Sequence, residues 1–132
     1  VVADHVRGWP VDLVVVSSAV RARETAAPVI AALGCPARVE ERIYEATPGE
    51  LLRLVTELPD AAADVMFVGH NPGTEQLHEL LCGSGPAYPT AALGTIELAV
   101  DAWPEVWAGC GRQISHVTPK GLAAVDPSSM RR

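Results

Sequence analysis

The sequence lacks most of what commits a chain to a disulfide scaffold, a membrane or a polyanion. Its three cysteines, Cys35, Cys82 and Cys110, are odd in number and widely spaced, and no C-x-x-C pair occurs. That spacing makes neither a disulfide framework nor a zinc site, and it implies a reducing compartment, with cytoplasmic localisation as the expectation. No apolar run approaches the length of a membrane span, and there is no signal-peptide pattern. Basic residues are outnumbered, 10 Lys and Arg against 16 Asp and Glu, for a net charge of −6. This argues against a broad nucleic-acid or anionic-membrane surface but leaves room for a small basic pocket. Internal repeats and low-complexity linkers are also absent.

What is present is a chain of 132 residues, 48% hydrophobic and 20% charged, enough for one globular domain with a real core. Its organising stretch is Val65-Met-Phe-Val-Gly-His70-Asn-Pro-Gly73. Val65 to Val68 read as a short buried strand, Gly69 permits a sharp bend, and Asn71 and Pro72 suit the N-cap and first position of a helix. His70 is thereby placed at the carboxyl end of a strand beside the N–H groups that open a helix, where open α/β sheets bind ligands and anions.

The other elements follow from similar signals. Val1 to Trp9 read as the end of a helix closed by Gly8 and Pro10, and 12–17 as a strand buried on both faces. Ser18 is the expected N-cap of a helix running to about Leu33. Residues 37–46 suggest a short strand and a loop. Thr47-Pro48-Gly49-Glu50 is a capping box that opens a helix with an apolar stripe of Leu51, Leu54, Val55 and Leu58, ended by Pro59. After the helix from Pro72 to about Cys82 and a flexible loop reaching Thr90, two strands are expected at 93–100 and 112–117, with a loose tail beyond. The alternation implies a three-layer α/β/α sandwich with a mostly parallel sheet and an antiparallel final pair. Residues 1–122 form a single domain on this reading and 123–132 the tail.

The strand at 12–17, like the one before His70, runs directly into a helix, and parallel pairing puts the two turns at one sheet edge. Arg21 falls in the first turn of its helix, where a cation is electrostatically unfavourable unless it meets an anion. Arg23 points in a different direction around that helix. A guanidinium, an imidazole and two sets of helix-opening N–H groups make an oxyanion cradle, in which arginine supplies a planar fork and histidine a donor or proton carrier. The bland alternative is a surface arginine and a hydrogen-bonded structural histidine. Glu75-x-x-His78 reads as an exposed helix pair, since a di-iron site would need a second copy. His5 reads as a surface residue, His116 as a strand residue without ligand-like partners, Trp103 and Trp107 as packing residues, and Cys82 as a small core residue.

Taken together, Ser17-Ser18-x-x-Arg21-Ala-x-x-Thr25 and Val68-Gly69-His70-Asn71-Pro72-Gly73 resemble the histidine phosphatase superfamily, with its phosphoglycerate mutase-like fold, and above all its small phosphohistidine phosphatases of the SixA type. Glu41-Arg42-Ile43-Tyr44 with Thr47-Pro48-Gly49 resembles the family's middle loop, Pro89-Thr90-Ala91-Ala92 a segment after the second histidine, and Val117-Thr-Pro-Lys120 the last strand. The resemblance implies hydrolysis of a phosphohistidine or a small phosphomonoester through a phosphohistidine intermediate. It gives Arg21 and His70 the phosphate-binding and charge-stabilising role, with help from Ser17 or Asn71, and makes Glu41 and Glu45 candidate acids. No cofactor or metal is implied, and the partner is a phosphate-bearing substrate.

The chain departs from the family in one respect. The family's R-H-G or R-H-A motif, which ends its first strand and carries the nucleophile, does not occur. His5-Val6-Arg7-Gly8 has the letters in another order and lies too close to the strand at 12–17 for a separate strand and crossover. The sequence therefore reads as a family member without its central first strand, whose absence would leave unpaired edges and an apolar face. A non-catalytic phosphate- or phosphoprotein-binding domain is the alternative this raises. A sugar-phosphate phosphatase or mutase is another, disfavoured by the short middle region.

Overall fold

The computed structural model describes residues 2–89 and 92–118. A short helix α1 (Val2–Val6) leads to strand β1 (Leu13–Ser17), helix α2 (Val20–Leu33) and strand β2 (Ala37–Glu40). Helix α3 (Pro48–Thr56), strand β3 (Val65–Val68) and helix α4 (Gly73–Cys82) follow, then strands β4 (Leu93–Leu98) and β5 (Gly111–Val117). No helix among the described residues is long and apolar enough to cross a membrane.

β1 is the centre of a three-stranded parallel sheet in the order β2-β1-β3, with Val16 opposite both Val39 and Val68. Its unbroken apolar run is explained by burial on both faces. Val15 packs into a cluster with Leu51, Leu54 and Val55 of α3 and Leu81 of α4, while Val16 packs with Ala22 and Ala26 of α2. Successive strand residues point to opposite faces, so these contacts define three layers. Each leucine fully buried in the α3 layer contributes about 1.5–3 kcal/mol of transfer free energy. The Thr47 capping box is present, with Thr47 Oγ1 accepting from the Glu50 N–H and Glu50 Oε1 from the Thr47 N–H.

β4 and β5 form a separate antiparallel pair. Between β3 and β4 runs a groove of about 710 Å³ lined by Val65, Met66 and Phe67 on one side and Leu93, Thr95 and Ile96 on the other. All four residues of β3 are only half-buried, whereas Val14 to Ser17 of β1 are buried. The groove separates the parallel sheet from the antiparallel pair.

Several boundaries differ from the sequence reading. Ala19, not Ser18, occupies the N-cap of α2, without a side-chain cap, and its N–H donates to the Ser17 hydroxyl at 3.3 Å. Pro72, not Asn71, precedes α4, because the Asn71 amide is turned away to the Tyr88 carbonyl. α3 ends at Thr56, before Pro59. Trp103 packs with its indole N–H on the Ala62 carbonyl, but Trp107 is 56% exposed. Thr90, Ala91 and the expected tail lie outside the described residues.

The pair Glu75 and His78 is not exposed. His78 is 1% exposed, its Nδ1 lies 2.6 Å from the Tyr88 hydroxyl, and the Tyr88 ring meets His116 edge-on at 4.8 Å. A loop residue thereby ties α4 to the β4–β5 pair. Gly94 makes this packing feasible, since a Cβ there would fall 1.8 Å from the Tyr88 hydroxyl and 3.2 Å from His78 Nδ1. A Gly94→Ala substitution is expected to destabilise the fold by about 1–3 kcal/mol through overpacking, measured by chemical denaturation. Burial holds the His78 imidazole below its ordinary value of 6.5. Below that pH the unfolded chain takes up a proton that the folded one resists, so the stability His78 contributes is present above 6.5 and is lost as pH falls below it. Denaturation midpoints measured across that range should show this slope in the wild type and a shallower one in His78→Asn.

Candidate functional site

The ends of β1 and β3 meet in one contact. Ser17, fully buried, places its hydroxyl 2.6 Å from Nε2 of His70. The β1–β3 register ends at Val16 beside Val68, which brings Ser17 level with Gly69 and lets the next residue reach across. Gly69 keeps this turn free of crowding. A Cβ would approach Ile43 Cγ2 at 3.2 Å and Thr74 Oγ1 at 3.3 Å, contacts tighter than ordinary packing.

The His70 backbone is fixed from the helix side. Its carbonyl accepts the Thr74 N–H at 2.8 Å and the Thr74 hydroxyl at 3.1 Å. The Asn71–Pro72 peptide bond is cis. On the solvent side the Tyr44 ring meets the imidazole edge-on, with centroids 5.8 Å apart. His70 opens onto a cavity of about 370 Å³ walled by Tyr44, Glu45, Asn71 and Pro72 over an apolar floor that includes Leu51 and Phe67.

The candidate residues fall into two groups. Ser17, His70 and Asn71 are adjacent, and Glu45 shares the cavity with the last two. Glu45 is also the one non-glycine described residue with positive φ, at 56°. Strain of this kind costs about 1–3 kcal/mol and concentrates at functional positions. Glu41 lies outside the cavity, exposed on the 3₁₀ turn Glu41–Ile43. Arg21 is in the first turn of α2, exposed, outside the cavity lining, and without a hydrogen bond or ion pair among the described residues. Arg42 differs sharply. It bridges Glu40 and Glu57 at 2.9 Å each, and it holds the Glu40 carboxyl below the usual range. Arg21, like Arg23 on the same helix, is thus not engaged by a carboxylate among the described residues.

Sequence reasoning missed Tyr44, Glu75 and Tyr88. Glu75 Oε1 accepts the Tyr88 N–H at 2.6 Å, and the Tyr88 carbonyl receives the Asn71 amide. The Glu75-x-x-His78 spacing was the visible signal, but its shared partner comes from a loop without periodicity. Among the described residues no group of three or more His, Cys, Asp and Glu side chains could hold a metal ion.

Comparison with known proteins places the chain in a family. The uncharacterized proteins Rv1276c and MT1313 of Mycobacterium tuberculosis are each 31% identical over 121 residues, covering 83% of this chain and 75% of theirs. A solved structure assigned as the phosphohistidine phosphatase SixA of Agrobacterium tumefaciens superposes with a TM-score of 0.72 at 25% identity, over 89% of this chain and 75% of that one. A structure of the protein histidine phosphatase SixA in complex with tungstate gives a TM-score of 0.76 at 23% identity, over 91% and 78%. The family model of the histidine phosphatase superfamily, branch 1, matches residues 1–80, and with it the chain belongs to that superfamily.

Proposed function

We propose that the protein is a phosphatase acting on a phosphohistidine or a small phosphomonoester, with the oxyanion held between Arg21 and His70. The observation that carries this reading is the 2.6 Å contact of His70 Nε2 with Ser17 Oγ. It fixes an imidazole at the sheet edge where α2 begins, with Arg21 in that helix's first turn. A SixA relative binds tungstate, a tetrahedral oxyanion of the same shape as phosphate. Arg21 supplies a bidentate donor and His70 a second, both directed at charge that develops on the transferring phosphoryl group. Asn71 and the Ser17 hydroxyl orient His70 or add donors. Glu45, at the cavity wall, is better placed than Glu41 to give a proton to the leaving group.

The nucleophile in this reading is the histidine that the family resemblance implies. Its nitrogen attacks phosphorus as the bond to the leaving group breaks. Water then cleaves the resulting phosphohistidine and releases phosphate, so two lower barriers replace one. A second reading is favoured by a specific observation. Of the chain's histidines, His5 stacks on Trp9, while His78 and His116 flank Tyr88, so none besides His70 stands at the site. On that reading the domain binds phosphate groups without turning them over.

Hydrolysis of a phosphohistidine peptide separates the two. The phosphatase reading expects turnover that falls by about 10²–10³-fold in His70→Ala, the size of one lost transition-state donor. Saturable tungstate binding with no turnover establishes the second reading. Under both, Arg21→Ala weakens tungstate binding by roughly tenfold or more, Arg21→Lys restores it only in part, and Arg23→Ala leaves it unchanged. Calorimetric titration with tungstate checks this series, and an Arg21→Ala variant with wild-type affinity removes Arg21 from the site.

A further inference from the structure

Three hydrogen bonds converge on Tyr88, a buried residue of the loop after α4. Its N–H donates to Glu75 Oε1 at 2.6 Å, its hydroxyl lies 2.6 Å from His78 Nδ1, and its carbonyl accepts the Asn71 side-chain amide. Glu75 and His78 stand one helical turn apart on α4 and so present both anchors on one face. Asn71 directly follows His70. A continuous chain of contacts therefore runs from the middle of α4, through a loop residue, back to the turn that carries the site imidazole.

This arrangement is costly unless it is used. A carboxylate in the first turn of α4 favours the helix dipole, but it also places negative charge close to a site that has to attract an anion. Any uncharged acceptor would remove that repulsion. A charged acceptor gives a stronger bond to the Tyr88 N–H than a neutral one, which favours rigidity of the loop over local potential.

We infer that Glu75 is a positioning residue for His70, acting through Tyr88 and Asn71. Glu75 anchors the Tyr88 backbone, the Tyr88 carbonyl orients the Asn71 amide, and the fixed Asn71 holds the His70 ring against Ser17. The inference rests on His70 as an oxyanion ligand, and it concerns how that ligand is held in place.

The test compares Glu75→Ala with Glu75→Gln, which retains an acceptor for the same N–H. Two quantities are read at a temperature where each variant is folded. One is tungstate affinity by calorimetry. The other is the His70 Cε1–H resonance of the free protein by NMR. If Glu75 acted only through its charge, both substitutions would tighten tungstate binding. Positioning predicts the opposite sign for E75A, a loss of about tenfold, in the range of one hydrogen bond to a charged group. It also predicts a shifted His70 resonance in E75A, with E75Q within about threefold of wild type and an unshifted resonance. Should E75A not fold, Glu75→Asp keeps the charge but shortens the reach and is expected to lose affinity in the same direction. An E75A protein with wild-type or tighter tungstate binding and an unmoved His70 resonance overturns the inference. A wild-type protein that binds no tungstate refutes the oxyanion role of His70 instead, and the resonance in the free variants then still decides whether Glu75 positions the ring.

Discussion

The contact between the Ser17 hydroxyl and the His70 imidazole is the constraint on which the site depends. It requires β1 and β3 to pair in parallel and in one register. It is also helped by Gly69, where a Cβ would press on Ile43 and Thr74, and by a serine small enough to be buried at the last position of β1. A slip of one residue would send the alternate side chains to the opposite face and separate the two groups. The valines of β1 exclude such a slip, because α2 claims Val16 and the α3–α4 layer claims Val15.

Much of this frame was legible in the sequence. The apolar run of β1, the Thr47 capping box and the glycine after α2 each report a local preference that the fold also satisfies, so their elements appear close to where the pattern put them. The Arg21 and His70 motifs were legible as types at set spacings, and the parallel strand order places both at one edge. What was not legible depends on contacts across loops. Asn71 has the chemistry of an N-cap, but its side chain instead donates its amide N–H to the carbonyl of a loop residue. Ser18 likewise does not cap α2: the N-cap falls one residue later, at Ala19, whose N–H donates to the buried Ser17 hydroxyl. Nothing in the spacing of Glu75 and His78 announces Tyr88 as their common partner. Trp103 and Trp107 look alike in sequence, and only the packing under the 3₁₀ turn Trp103–Glu105 tells them apart.

Charge is distributed unevenly around the site. Arg42, close in sequence to the cavity, is neutralised by Glu40 and Glu57 and serves to hold the middle loop against the end of α3. Arg21 stands at a helix N-terminus, where its charge is repelled by the dipole and engaged by no carboxylate among the described residues. In a chain of net charge −6, such unpaired guanidinium groups on α2 make positive potential a matter of local arrangement and not of overall charge.

The double acceptance by the His70 carbonyl has a mechanical consequence. Thr74 grips that carbonyl with both its amide and its hydroxyl, so the peptide plane behind the imidazole and the opening turn of α4 behave as one rigid piece. The same helix carries Leu81 into the main core and His78 against the second sheet pair. Displacing the His70 backbone therefore means moving a helix that is anchored at its far end, so the main chain that carries the imidazole is held by the body of the domain and not only by the loop in which it sits.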